Sequence, residues 1–130
     1  MAAMDRVRVE MYQGRRIVVV DGTDAQADEY ATILRQGSAF LATEPEGSAL
    51  LVTVVTRARY GAGATEHLKA YSRTIRPFVK ASAVVGLSPL QRVIFGAIRP
   101  FLHASVQDFA TLAEAREWLV RLGAPPAPGR

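Results

Sequence analysis

Apolar and polar positions alternate from the start of the chain. Val7, Val9 and Met11 interleave with Arg6, Arg8, Glu10 and Tyr12, the two-residue period of a strand with one face in solvent. Gln13-Gly14 supplies a turn and Ile17-Val18-Val19-Val20 a second strand, so the chain opens with a hairpin. The period then changes: Ala25 to Phe40 brings Tyr30, Ile33 and Leu34 to one side of a helix. After the loop Glu44-Pro45-Glu46-Gly47, Leu50 to Val55 is almost continuously apolar, as in a strand covered on both faces. A second helix runs from Ala64 to Arg76 with Ala64, Leu68, Tyr71 and Ile75 on one side, and Pro77 ends it. Val79 to Val85 is the next buried strand, where the small residues Ala81, Ser82 and Ala83 let a helix pack close. A third helix over Pro89 to Leu102 and a short strand, Val106 to Phe109, follow. The last helix, Leu112 to Leu122, turns Leu112, Ala115, Trp118 and Leu119 inward. The order β-β-α-β-α-β-α-β-α predicts a single α/β domain over residues 5–122: a mostly parallel β-sheet with an antiparallel N-terminal edge hairpin and four helices. Residues 1–4 and the Pro-rich 123–130 read as disordered ends.

Helix starts separate one helix from the other three. A capping box pairs Ser or Thr with Glu or Gln three residues on. Thr23–Gln26, Ser88–Gln91 and Thr111–Glu114 fit it before the first, third and fourth helices, with Pro89 at the favoured first position. The second helix begins Tyr60-Gly61-Ala62-Gly63-Ala64-Thr65, with glycines and no box. One reading is a tight strand-to-helix turn. The other is an anion site, because uncapped helix amides attract negative charge and ligands of open parallel sheets gather at the carboxyl ends of strands. Arg57 and Arg59 bring positive charge to that loop.

Composition narrows the chemistry. The 130 residues are 49% apolar and 22% charged, enough for one domain with a core. The absence of Cys excludes disulfides, thiolate metal sites and a cysteine nucleophile, and two histidines are too few for a histidine metal centre. No metal and no cofactor is expected. No apolar run approaches the ~20 residues of a transmembrane helix, and no signal-peptide pattern opens the chain. A soluble cytoplasmic protein is therefore the expectation.

The net charge of +4 is unevenly placed. Residues 1–56 hold five Lys/Arg against eight Asp/Glu, residues 57–104 hold eight against one, and the remainder balance. On the second helix Lys69, Arg73 and Arg76 share one face, with Glu66 the one compensating acid. Either this is a solvated face, or it docks an acidic protein, an anionic lipid or a nucleic acid. Nucleic acid fits least, because no aromatic residues interleave with the charge. The third helix carries an unusually wide apolar arc, with Phe95 and Leu102 off its centre beside Arg99. Deep burial is one account of that arc; a homodimer contact or a surface for a hydrophobic ligand is the other. His103 reads as a partner for this helix's C-terminal dipole. The pairs Glu66/His67 and Asp21/Asp24 fall where capping and exposure explain them, so no catalytic residues are assigned.

The stretch Val79-Lys80-Ala81-Ser82-Ala83-Val84-Val85-Gly86-Leu87-Ser88, followed by a helix and then Phe109-Ala110-Thr111-Leu112-Ala113-Glu114-Ala115-Arg116-Glu117-Trp118-Leu119, resembles small bacterial STAS-like domains. These share the fold of the anti-sigma-factor antagonists and are related in architecture to the CRAL-TRIO lipid carriers. The antagonists carry an Asp-Ser-Ser-Gly-like loop before the second helix, where a kinase phosphorylates Ser or Thr. Here that loop runs from Arg57 to Thr65, the acid and serines are absent, and Thr65 is its one aliphatic hydroxyl. Relatives often have Gly-Arg after the third helix; here the site reads His103-Ala104. The resemblance implies a non-enzymatic regulatory or protein-interaction module. Its working region is the loop with Arg57, Arg59, Tyr60, Gly61, Gly63, Thr65 and Ser88, and the face of Lys69, Arg73 and Arg76. The alternative is a carrier or sensor of a small amphipathic or anionic ligand, held between the third helix and the loops Arg57–Gly63 and Gly86–Ser88.

Overall fold

A computed structural model of the chain describes residues 6–59, 63–98 and 106–123. Strands β1 (Val7–Tyr12) and β2 (Arg15–Asp21) form the opening hairpin. Its two-residue turn places Gln13 at φ 50° and Gly14 at φ 76°, the left-handed pair whose twist matches the strands it joins. Then come α1 (Ala27–Leu41), β3 (Ala49–Val54), α2 (Ala64–Ile75) with a 3-10 turn at Arg76–Phe78, β4 (Val79–Val85), α3 (Pro89–Ile98), β5 (Val106–Phe109) and α4 (Leu112–Gly123). The sheet order is β1-β2-β3-β4-β5. β1 is antiparallel to β2 and every other pair is parallel, so the predicted architecture is the one found.

Alternation along the central strands divides the core in two. Val18, Val20 and Leu51 face α1 and α2, where they meet Ile33, Leu34, Tyr71 and Ile75. Ile17, Val19, Leu50 and Val52 face α4. Every residue of β3 is buried, as its unbroken apolar run requires. The small residues of β4 do what their size suggests: Ala81 and Ala83 let α4 approach through Ala115 and Leu119, all four at most 1% exposed. Phe109 and Trp118 close that end with ring centroids 5.4 Å apart.

A polar layer ties β1 to α4. Glu10 accepts from Arg8 (3.1 Å) and from Arg116, whose guanidinium lies over the Tyr12 ring, and the Tyr12 hydroxyl donates to Glu117. Burial pushes the Glu10 carboxyl up, but the bonds from Arg116 and Arg8 outweigh it and hold it below the ordinary carboxylate value.

Three expectations need correction. The first helix starts at Ala27 rather than Ala25, with Gln26 and not Thr23 at its N-cap, and it runs one residue past Phe40 to Leu41. The Thr23 hydroxyl is already committed: it donates to Asp21 Oδ1 at 2.5 Å, as does the Thr23 amide at 2.9 Å. Asp24 then turns left-handed (φ 59°), Ala25 is fully buried, and the Gln26 amide donates to Glu29 (3.3 Å) instead. The second helix ends at Ile75, one residue short, because Pro77 forces the 3-10 turn. For the third helix's apolar arc, deep burial does not hold at Leu90 and Val93, each 70% exposed. The boxes expected at Ser88–Gln91 and Thr111–Glu114 are both formed. The expected disordered residues 1–4 and the tail beyond Gly123 lie outside the described residues.

Candidate functional site

The loops at the carboxyl ends of β2, β3 and β4, of which sequence reasoning singled out the last two, are stitched by backbone bonds into one surface. Gly22 donates to Val54 O (2.7 Å), Asp24 to Thr56 O (2.9 Å), Arg59 to Ala25 O (2.8 Å) and Val55 to Val85 O (2.8 Å). Arg6 clasps the first of these loops through the carbonyls of Thr23 (2.6 Å) and Asp21 (3.2 Å). Gly86 closes the third against the second. At φ 90° it takes a backbone that favours glycine, and a Cβ there would fall 2.1 Å from Thr56 Oγ1.

Two charged residues of the first two loops share an ion pair. Arg57 donates through Nε (2.6 Å) and a terminal nitrogen (3.1 Å) to both carboxylate oxygens of Asp24. Both residues are in the left-handed region, Asp24 at φ 59° and Arg57 at φ 54°. The bond from Arg57 holds the Asp24 carboxyl below its usual value, and Asp24 in turn raises the guanidinium. Beside it, burial pushes the Asp21 carboxyl up, yet the hydroxyl and amide of Thr23 and the Arg8 guanidinium prevail and keep it low. The positive charge assigned to Arg57 is therefore partnered within the chain, by a residue 33 positions earlier.

The second helix starts as its sequence predicts. Gly63 is its N-cap at φ 80°, with no side-chain bond to the first turn, and the His67 amide donates to Gly63 O (2.9 Å). Arg59 is exposed. Tyr60 and Gly61 lie outside the described residues, as does the side chain of Thr65. Ser88 is exposed, and its hydroxyl accepts from the Gln91 amide (3.2 Å) as a cap. Along α2, Lys69 is half-buried and 3.9 Å from Glu66, while Arg73 and Arg76 are exposed.

What sequence reasoning missed is how α3 is held. Among the described side chains of α3 the buried one is Gln91, 8% exposed, which accepts from the Ser88 amide (2.8 Å) and donates to the carbonyl of buried Ala58 (3.1 Å). A lone glutamine inside an apolar helix was the available signal. With Gln91 and half-buried Phe95 turned in, the outer face presents Pro89, Leu90, Val93, Gly96 and Ala97, all exposed. Arg92 on its flank is paired with Asp108 at 3.4 Å. Arg99 and Leu102, expected beside Phe95, lie outside the described residues, as does His103. The space between α3 and the loops, where a small ligand was expected, is crossed by the Gln91 side chain. Among the described residues no group of three or more His, Cys, Asp or Glu is placed to hold a metal, and no helix is long and apolar enough to cross a membrane.

The antiparallel lead strand, three parallel steps and four helices match a STAS fold. No family model and no curated protein matches the chain. Among solved structures it is similar to an anti-sigma-factor antagonist (STAS) domain protein from Planctomyces limnophilus. The two are 13% identical with a TM-score of 0.60, over 91% of this chain and 98% of that one. The chain has a STAS-like fold.

Proposed function

We propose that the chain is a non-enzymatic protein-interaction module that receives an acidic, partly apolar segment of another protein on α2 and α3. The observation that carries this reading is the apolar surface that α3 leaves exposed. A surface helix ordinarily turns its apolar residues to the core; besides the inward Gln91 and Phe95, this one leaves Leu90 and Val93 70% exposed, one turn apart on the same side. Covering them is worth about 1–2 kcal/mol each, and contiguous exposed apolar surface marks an interface. Charge selects the partner. α3 packs against α2, whose outer side carries Lys69, Arg73 and Arg76 with one acid, Glu66. An acidic segment gains from that field, whereas a second copy docked here would bring two basic flanks together. The likeness in fold to a domain described as an anti-sigma-factor antagonist supports a role exercised on another protein.

The test is recovery of a native partner by the tagged chain and by two variants, Lys69→Glu/Arg73→Glu/Arg76→Glu and Leu90→Asp/Val93→Asp. All altered side chains are on the surface except the half-buried Lys69, and circular dichroism should be unchanged. Loss of the same partner in both variants is the expected result. A partner retained by both would refute the reading, and a small molecule carried by every purified sample in native mass spectrometry would replace it with the carrier alternative.

A further inference from the structure

We infer that β1 is a homodimerisation strand, pairing antiparallel with the β1 of a second copy to continue the sheet from one protomer into the other. The inference rests on β1 alone and is independent of the reading of α2 and α3.

Among the described residues β1 pairs only with β2, and so forms one edge of the sheet. Which of its backbone groups face outward follows from the register. Asp21 donates to Arg6 O (2.7 Å), and the two lie opposite each other in the continuation of the Val7–Val20 register. Hydrogen-bonded and non-bonded pairs alternate along an antiparallel ladder. Arg8, Glu10 and Tyr12 therefore spend their amides and carbonyls on β2, and Val7, Val9 and Met11 direct theirs away from it. Such an edge is a template for another strand unless something blunts it. No Pro or bulge interrupts β1, and its apolar side chains are unusually open: Met11 is 67% exposed and Val9 37%.

The strand is complementary to itself. A two-fold axis through Val9 sets Val9 against the partner's Val9, and Val7 and Met11 against the partner's Met11 and Val7. These are the three outward-facing positions, so each forms a narrow pair exchanging two hydrogen bonds. The same axis places Arg8 opposite the partner's Glu10, and Glu10 opposite the partner's Arg8. Opposite charges on facing positions stabilise a strand pair, and like charges would oppose it. Shifting the register by two residues sets Arg8 against the partner's Arg8 in one direction and Glu10 against the partner's Glu10 in the other. On the helix α1 side, Val7, Val9 and Met11 of both copies become one continuous apolar strip; on the α4 side, the Arg8–Glu10–Arg116 layer of each protomer joins that of the other. The occupant is thus a second copy rather than an arbitrary extended peptide, because one sequence supplies both halves of the charge match.

The experiment is analytical ultracentrifugation of the full chain over a concentration series, with amide exchange read residue by residue. The expected result is a reversible monomer–dimer equilibrium in which the Val7, Val9 and Met11 amides are protected in the dimer and exchange quickly on dilution. Val9→Pro removes an outward N–H that the β1–β2 ladder does not use, and should raise the dissociation constant about thirtyfold for the two symmetric bonds lost. Met11→Lys, at an exposed site, sets two charges against the partner's Val7 and should weaken the dimer likewise, which covers the case in which Val9→Pro disturbs the strand. A chain that stays monomeric, a dimer that keeps its affinity in both variants, or Val9 and Met11 amides that exchange freely within a dimer would each overturn the inference.

Discussion

Gln91 bonds α3 to the β3–α2 loop, and replacing it by Leu tests how far that bond holds the helix. The change preserves approximate size and adds an apolar side chain where helix patterning would place one. It removes two hydrogen bonds: donation to Ala58 O (3.1 Å) and acceptance from the Ser88 amide (2.8 Å). Gln91 and Ala58 are each 8% exposed, so the Ala58 carbonyl loses a partner away from solvent. The Ser88 amide stands at the edge of the helix start, where water replaces part of the loss. An unsatisfied buried carbonyl costs about 1–3 kcal/mol, and half of a capping box about 0.5–1 kcal/mol. Burying the leucine methyls returns about 1 kcal/mol. The net expectation is a destabilisation of about 1–2 kcal/mol, lowering the melting temperature by about 4–10 °C for a domain of this size. Differential scanning calorimetry reads that shift, and native-state hydrogen exchange should show the α3 amides opening more than those of β3 or α4. A Gln91→Leu protein as stable as the wild type, with α3 equally protected, would mean that the apolar positions of α3 hold the helix and that its outer face has been misassigned.

The remaining predictions concern the core and its titration. Gly37→Ala sets a methyl 2.9 Å from Val20 Cγ2, beneath α1, and should destabilise by about 1–2 kcal/mol after the helix-propensity gain is allowed for; a higher urea midpoint than wild type would refute it. Tyr71 is buried against Thr53 (3.2 Å), and burial pushes its phenol up to about 12, only partly offset by Thr53. Because the folded value lies above the unfolded one near 10, its contribution is complete below pH 10 and disappears as pH rises towards 12, about 2–3 kcal/mol in all. Urea midpoints between pH 9 and 11.5 should fall more steeply for the wild type than for Tyr71→Phe, and parallel slopes would refute the assignment. Glu10 has the opposite sign: its carboxyl is held below the usual 4.5, so the stability it contributes is present above that pH and is lost as pH falls. Glu10→Gln should therefore flatten the acid limb of the stability curve, and an unchanged limb would show that Arg116 and Arg8 do not discriminate between its charged and neutral forms.

The strands and the division of the core were legible because they follow from side-chain period alone. An unbroken apolar run such as β3 has only one home in an α/β domain, and the alternation in β1 put its exposed face in view. Errors arose where a distant residue decided between local solutions. Thr-Asp-Ala-Gln and Gln-Ala-Asp-Glu overlap at the start of α1, and both offer a polar cap with a partner three residues on. Asp21, reached only through the turn after β2, takes the Thr23 hydroxyl and leaves Gln26 to begin the helix. Arg57 is a second case: its loop reads as uncompensated positive charge until the fold brings Asp24 to it.

The same logic explains why the α3 surface escaped the pattern. Helix periodicity locates an apolar arc but carries no sign; the arc is assigned to the interior because interiors are ordinarily what apolar arcs meet. Here the interior side of α3 faces two backbone groups, the Ala58 carbonyl and the Ser88 amide, and a glutamine satisfies both where an aliphatic residue satisfies neither. With Gln91 turned to those groups, Leu90 lies about 100° and Val93 about 200° round the helix from it, on the outer side. The exposed Leu90 and Val93 thus go with the way the β3–α2 loop is closed on α3, and the loop that the sequence marks by its glycines and arginines would shape the proposed docking surface through the Ala58 carbonyl rather than through its charges.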